Sequence, residues 1–309
     1  MAKSDALQQL IDALRARPIP ADVSWAERRR AMEEFQAGLR IPADVLTQPV
    51  DAAGVRAEWV SCPDSDADRA ILYLHGGGYA LGSIATHRFL MQALGRAARA
   101  RVLGIDYRLA PENPFPAAVE DAVAAWRWML GQGLDARRCA IGGDSAGGGL
   151  TLATLVALRD RGVPLPGAAA LLSPWTDLAG TGASVEGKAA EDPMVTAAGL
   201  HQMAQAYLGA ADARDPLASP LYADLAGLPP MLVQVGSAEI LLDDSTRLAE
   251  RARAVGVEVE LETWDDMVHV FQAFPMLAEA GQAIARIGDF VRARTAAAVG
   301  RTQAAQARA

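Results

Sequence analysis

Short apolar runs alternate with longer helical patterns along most of the chain, from about residue 55 onward. The apolar runs are AILYLH, RVLGIDY, RCAIGG, AAALLS, MLVQVG and VEVELETW. The helical patterns cover residues 86–99, 116–130, 146–160, 243–255 and 277–295. Apolar strands that alternate with helices are typical of a mostly parallel sheet covered on both faces. The pattern therefore predicts an α/β fold.

The N-terminal region departs from this alternation and predicts two amphipathic helices. Apolar residues recur with helical spacing from Leu7 to Leu14, and SWAE at 24–27 is a capping box that begins a second helix. Pro18 and Pro20 separate the two helices.

A second departure is the long segment between AAALLS and MLVQVG, which contains a helical pattern near 196–208. It is longer than a simple crossover requires, so we interpret it as an insertion that packs with the N-terminal helices into a cap. The predicted division is 1–45 as the first cap segment, 46–178 as the first part of the core, 179–215 as the second cap segment, 216–296 as the second part of the core, and 297–309 as a tail.

Composition limits the partners and the chemistry. The 309 residues, of which 51% are hydrophobic, suffice for one large core. A net charge of −8 disfavours a nucleic-acid partner. The sequence shows neither a secretion signal nor a long apolar stretch, so we expect a cytoplasmic protein with no membrane partner. Cys62 and Cys139 have no metal-binding or redox spacing and are expected to be packing residues.

The sequence GGDSAGGG at 142–149 places Ser145 between a predicted strand and a predicted helix. A nucleophilic serine occupies such a strained turn, and the residues two positions before and after it must be small. Gly143 and Gly147 meet this requirement. The alternative is a glycine-rich loop that binds phosphate, but the lysine of a P-loop is missing.

A serine nucleophile also needs donors for an oxyanion and a base. HGGGYALG follows the strand AILYL, and the N–H groups of Gly77, Gly78 and Ala146 are the candidate donors. His269 follows the last predicted strand and precedes the last helix, where an α/β-hydrolase has its base. His75 precedes the serine and is expected to be structural, and we expect His201 to be solvated in the cap helix.

HGGGY, DYRLAPENPFPAAVEDA, GGDSAGGGL, SPW and DPLASPL, with the histidine loop, resemble the hormone-sensitive lipase family of α/β-hydrolases, the bacterial GDSAG-type carboxylesterases. The resemblance spans about residues 55 to 295. It implies a helical cap over an eight-stranded sheet, no cofactor, and hydrolysis of short-chain acyl esters. It also implies that Gly77, Gly78 and Ala146 hold the oxyanion, and that Asp106, Tyr107 and Arg108 brace the neighbouring loop.

The acid of the triad departs from the family pattern. Relatives usually have an aspartate where SAEILLDD places Glu239, which precedes His269 by 30 residues (269 − 239). Glutamate can orient and stabilise an imidazolium, so we predict the triad Ser145, Glu239 and His269. Asp177, Asp243 and Asp244 remain alternatives for the acid.

These residues predict a serine carboxylesterase that acts through an acyl-enzyme. An amide or carbamate hydrolase with the same triad is an alternative, as is a non-catalytic binder such as the plant gibberellin receptors, which have lost the base histidine. The substrate is a small ester, no metal or other cofactor is expected, and the chain is expected to be a monomer or homodimer. The apolar candidates for lining the acyl pocket are Trp25, Met32, Phe35, Tyr79, Trp175, Met203, Tyr207 and Phe271. The alternative for each is that it packs the cap against the body.

Overall fold

A computed structural model describes residues 3–16, 23–36 and 38–296 and contains one eight-stranded sheet of order β1-β2-β4-β3-β5-β6-β7-β8. Strands β3 to β8 are mutually parallel, whereas β2 runs antiparallel to both of its neighbours. The strands are β1 Leu46–Asp51, β2 Arg56–Ser61, β3 Asp66–Leu74, β4 Ala100–Ile105, β5 Cys139–Asp144, β6 Ala168–Leu172, β7 Met231–Gly236 and β8 Val259–Trp264. The predicted α/β-hydrolase sheet is confirmed.

The six helices predicted downstream of residue 55 are also confirmed, each within about two residues at either end. In chain order the helices are α1 Asp5–Arg15, α2 Trp25–Gln36, α3 Ile84–Ala98, α4 Ala117–Gly131, α5 Ala146–Asp160, α6 Ser184–Gly187, α7 Ala197–Leu208, α8 Leu242–Ala254 and α9 Ala278–Arg294. The predicted capping box of α2 is present: Ser24 N–H donates to Glu27 Oε2, and Glu27 N–H donates to Ser24 Oγ.

The core has one layer on each face of the sheet, as alternation along β3 shows. Leu72 and Leu74 face a cluster shared with α4, α5 and α8, whereas Ile71 and Tyr73 face a cluster shared with α3 and α9. Successive residues of a strand point to opposite faces, so two-sided burial requires the continuous apolar runs seen in the sequence.

The two N-terminal helices contact different parts of the molecule. Helix α1 packs through Leu7 and Ile11 on a third cluster, which includes Val268 and Phe271. Helix α2 reaches α7 through a hydrogen bond of 2.8 Å from Arg28 to Gln202. Pro18, Pro20 and the tail 297–309 lie outside the described residues. Across the described ranges, no helix is long and apolar enough to cross a bilayer.

Candidate active site

Ser145 stands on the sharp turn between β5 and α5 with a backbone φ of 53°, in the left-handed region that side chains rarely adopt. The turn needs close backbone approach: a Cβ on Gly143 would lie 2.4 Å from the Gly147 carbonyl oxygen, and one on Gly147 would lie 2.0 Å from that of Leu74. The Ser145 hydroxyl makes no helix-capping hydrogen bond and is partly exposed. The geometry is that of a nucleophile elbow.

Glu239 and His269 form a buried pair at the same end of the sheet. His269 Nδ1 lies 2.7 Å from Glu239 Oε2, and the glutamate is fully buried after β7. A carboxylate at Nδ1 leaves Nε2 as the nitrogen able to accept a proton. The structure thus gives Glu239 the position that the sequence predicted for the acid.

Ser173 connects this pair with the nucleophile elbow. It follows Leu172, whose carbonyl oxygen accepts a hydrogen bond from Ser145 N–H at 2.8 Å. Its hydroxyl donates to Glu239 Oε1 at 2.7 Å and accepts from Val270 N–H, next to His269. The carboxyl ends of β5, β6 and β7 and the loop after β8 therefore converge on one site. No pattern in the sequence indicated a role for Ser173.

The electrostatic surroundings of His269 favour its protonated form. Burial lowers the pKa of this imidazole, but the hydrogen bond and charge of Glu239, with smaller contributions from Asp192 and Asp144, raise it above the ordinary 6.5. An imidazole stabilised in this way is a stronger base toward a hydroxyl.

The alternative acids are engaged elsewhere. Asp177 forms an ion pair of 3.0 Å with Arg247 and accepts hydrogen bonds from Thr181 and Tyr222. Asp243 accepts from Ser184 N–H at the start of α8.

Asp244 holds the loop after β6, where its Oδ2 accepts from the N–H groups of Thr176 and Asp177. Burial raises its pKa to about 7. None of these three carboxylates has a described hydrogen bond to His269.

The glycine loop after β3 presents N–H groups of the kind an oxyanion hole needs. Gly77 and Gly78 have φ values of 116° and 61°, which only glycine adopts easily. Within the described residues, the N–H groups of Gly77, Gly78 and Ala146 donate to no other residue. These three N–H groups are of the kind that could stabilise an oxyanion, and their role stays a prediction.

A buried polar network underlies this loop and was missed by the sequence analysis. Asp144, beside the nucleophile, accepts from Tyr73 Oη at 2.7 Å and from Gly76 N–H at 3.1 Å, and lies 3.3 Å from His87 Nε2. Burial lowers the pKa of His87, but the Asp144 charge and hydrogen bond leave it raised. Asp144 thus ties the elbow to the start of the oxyanion loop. Its position inside GGDSAGGG was the only available signal.

His75 is structural in its geometry, as expected. Its ring stacks on Tyr107 with centroids 4.2 Å apart, and Nδ1 lies 2.8 Å from the Gly76 carbonyl oxygen. Burial and the neighbouring His87 lower its pKa to about 3, so it is neutral. Tyr107 also donates to the His75 carbonyl oxygen, which fits the predicted bracing role. His201 is exposed on α7, as expected.

The other two bracing residues contact helices. Asp106 accepts from Ile84 N–H at the start of α3, and Arg108 pairs with Asp121 of α4 at 2.7 Å. These bonds fix the loop after β4 to its flanking helices.

Four of the eight predicted pocket residues lie close together. Tyr79 stacks on Tyr207 with centroids 3.7 Å apart and lies 6.2 Å from Trp175, and a Cβ on Gly78 would meet Met203 Sδ.

Phe271 lies apart from that group, in the α1 cluster against Trp264. Trp25 and Met32 are half-buried on α2, and the side chain of Phe35 lies outside the described part of the chain. Within that part, no group of three or more acidic, histidine or cysteine side chains is arranged to hold a metal ion.

The fold, the elbow and the buried acid–histidine pair together define an α/β-hydrolase. The chain belongs to this family: residues 71–273 match the family described as alpha/beta hydrolase fold. A crystal structure of an esterase from the bacterial hormone-sensitive lipase family superposes with a TM-score of 0.93 at 51% identity, covering 96% of this chain and 100% of that one. The family resemblance of the sequence is thereby confirmed.

Two further proteins are similar to this chain over most of its length. An acetyl-hydrolase of Streptomyces hygroscopicus is 49% identical over 86% of this chain and 88% of its own. The crystal structure of EstE5 soaked with p-nitrophenyl butyrate has a TM-score of 0.92 at 49% identity, covering 96% of this chain and 100% of that chain.

Proposed function

We propose that the protein is a serine carboxylesterase that hydrolyses short-chain acyl esters, with Ser145 as nucleophile, His269 as base and Glu239 as acid. The observation that carries this proposal is the buried 2.7 Å contact between His269 Nδ1 and Glu239 Oε2. Ser173 joins this pair to the end of β6, where the Leu172 carbonyl oxygen binds Ser145 N–H. The esterase relatives support the same reaction class.

In the acylation step, His269 Nε2 takes the proton of Ser145 Oγ as this oxygen attacks the ester carbonyl carbon. The negative charge moves to the carbonyl oxygen, which accepts hydrogen bonds from the N–H groups of Gly77, Gly78 and Ala146. The imidazolium returns the proton to the leaving alcohol as the carbon–oxygen bond breaks. Glu239 stabilises the imidazolium through Nδ1.

In the deacylation step, neutral His269 takes a proton from water, and the resulting hydroxide attacks the acyl carbon on Ser145. The second tetrahedral oxyanion uses the same three donors. Collapse releases the carboxylic acid and returns the proton to Ser145. The cycle needs no metal or organic cofactor.

The preference for short acyl groups rests on two observations. Tyr79, Met203 and Tyr207 pack closely beside the oxyanion loop, so the space for an acyl chain on this side is limited. One relative is a named acetyl-hydrolase, and a similar solved structure, EstE5, was soaked with p-nitrophenyl butyrate. An amide or carbamate is a second candidate substrate for the same catalytic residues. The leaving group of either substrate is poorer than that of an ester, so its departure depends more strongly on proton transfer from His269.

The test is a panel of p-nitrophenyl esters of increasing acyl length, with Ser145→Ala as the control. We expect butyrate to be turned over faster than long-chain esters and faster than emulsified triglyceride, and Ser145→Ala to lose at least about 10³ in kcat. Undiminished activity in Ser145→Ala would rule out the proposed mechanism. Faster turnover of an olive-oil emulsion than of the butyrate ester would contradict the preference for short acyl groups.

Three further properties remain predictions from the sequence. The first is the division into cap segments 1–45 and 179–215 and core segments 46–178 and 216–296, which the hydrogen bond between α2 and α7 supports. The second is the cytoplasmic location, and the third is the monomeric or homodimeric state.

A further inference from the structure

Arg29 of α2 makes an unusual set of contacts for a residue on a cap helix. Its Nε donates to the Ala80 carbonyl oxygen at 2.8 Å, and its Nη2 donates to the Ala110 carbonyl oxygen at 2.8 Å. The guanidinium also pairs end-on, through Nη1 and Nη2, with both oxygens of Glu112, at 3.0 and 2.7 Å. One side chain thus joins α2 to two separate loops of the body.

Ala80 belongs to the turn that carries the candidate oxyanion donors. The N–H groups of Ala80 and Leu81 both donate to the Gly77 carbonyl oxygen, which closes the turn. On its outer side, the Tyr79 carbonyl oxygen accepts from Ala110 N–H at 2.9 Å, and the Ala80 carbonyl oxygen accepts from Arg29.

This turn needs external support because of its composition. Gly77 and Gly78 have no Cβ to restrict the backbone, so the orientation of their N–H groups depends on how the carbonyls of the turn are held. The Gly76 and Gly77 carbonyls are held within the loop, by His75 Nδ1 and by the N–H groups of Ala80 and Leu81. Two more carbonyls, those of Tyr79 and Ala80, are held from outside. Arg29 holds one of them directly and, through the Ala110 carbonyl, the loop that holds the other.

We propose that Arg29 is a positioning residue that fixes the oxyanion turn, so that α2 contributes to transition-state stabilisation as well as to the cap. This inference rests on the proposed esterase function. The rival role is a simple latch between α2 and the body through Glu112. A latch would affect stability or substrate binding, whereas a positioning residue affects the stability of the oxyanion.

The experiment compares Arg29→Gln with Arg30→Gln, an exposed neighbour on the same helix that gives the same change of charge. Glu112→Gln removes the ion pair and leaves both bonds to carbonyl oxygens, and Arg29→Lys keeps the charge without the forked geometry. For each variant we measure kcat and KM on p-nitrophenyl butyrate, the melting temperature, and inhibition by an aryl trifluoromethyl ketone. Ser145 Oγ adds to the carbon of this ketone, its proton moves to His269, and the ketone oxygen becomes an oxyanion in the hole.

Removing one oxyanion donor from an enzyme costs about 10²–10³ in kcat, so misaligning retained donors should cost less, about tenfold, in Arg29→Gln. We expect KM to change by less than about twofold and the ketone inhibition constant to rise about tenfold in parallel with kcat. Arg29→Lys should recover part of the loss, and Glu112→Gln and Arg30→Gln should stay within about threefold of wild type.

Several outcomes would overturn the proposal. They are an unchanged kcat in Arg29→Gln, a raised KM with unchanged ketone inhibition, or an equal loss in Glu112→Gln. If Arg29→Gln does not fold, Arg29→Lys carries the same comparison. A failure of the esterase function would look different, because the wild type itself would then lack activity that depends on Ser145.

Discussion

Replacing Glu239 with glutamine tests the assignment of the acid, because the surrounding hydrogen bonds determine how the new amide sits. Ser173 Oγ accepts from Val270 N–H and donates its own hydrogen to Glu239 Oε1. Gly236 N–H donates to the same oxygen at 2.6 Å. Two donors at Oε1 require an acceptor there, so the amide oxygen takes that place and the amide NH₂ group faces His269.

The consequence for His269 is a change of tautomer. An NH₂ group is a donor, so Nδ1 must become an acceptor and the ring hydrogen moves to Nε2, which can then no longer take the proton of Ser145. The corresponding change in a serine protease costs about 10⁴ in kcat, and we expect a loss of about 10³–10⁴ here. At about 1.4 kcal/mol per tenfold, this is about 4–5.5 kcal/mol of transition-state stabilisation.

The assay is steady-state hydrolysis of p-nitrophenyl butyrate, with thermal melting and near-UV circular dichroism to check the fold. Glu239 is fully buried, so we expect KM to change little. Asp243→Asn makes the same change of charge four residues later and should cost only about 0.3–1 kcal/mol of stability at the start of α8. Near wild-type kcat in a folded Glu239→Gln protein, with Asp177→Asn or Asp243→Asn inactive, would refute the assignment.

Two further predictions concern pH and packing. If neutral His269 is the base, as proposed, its raised pKa predicts that kcat/KM increases with pH through an apparent pKa above 6.5 and then levels off; a profile that stays flat from about pH 5 to pH 8 would contradict a histidine base. Tyr79→Phe should leave the free energy of unfolding unchanged or raise it by up to about 1 kcal/mol, because the buried Tyr79 hydroxyl has no described partner. Thermal melts measure this, and a loss above about 2 kcal/mol would reveal a hidden hydrogen bond.

The fold was largely predictable because its signals are local. The continuous apolar runs of β3 to β7 and the helical spacing between them follow from two-sided burial. Strand β1 carried no such signal: all its residues except Val50 are exposed, and it lies at the edge of the sheet. An exposed edge strand has no buried face to impose an alternating pattern.

The candidate site was predictable where topology fixes positions. Ser145, Glu239 and His269 each follow a strand at its carboxyl end, so chain order alone brings them to one edge of a parallel sheet. Asp144, Ser173 and Arg29 act through contacts with residues that lie far away along the chain. Ser173, for instance, binds partners 66 and 97 residues away. A single sequence has no periodic signal for such pairs.

The contacts of Ser173 show that Glu239 and the loop of His269 are held in place by the body of the protein. Ser173 has a φ of 45°, which is strained for a residue other than glycine, and its N–H is bound to the Gln234 carbonyl oxygen at 2.7 Å. This conformation directs Oγ between Glu239 and Val270, so the acid and the histidine loop are fixed before substrate binds. The candidate oxyanion turn contains Gly77 and Gly78 and, under the proposed role of Arg29, is completed by helix α2. Movement of that helix would then alter oxyanion stabilisation while the proton-transfer pair kept its geometry.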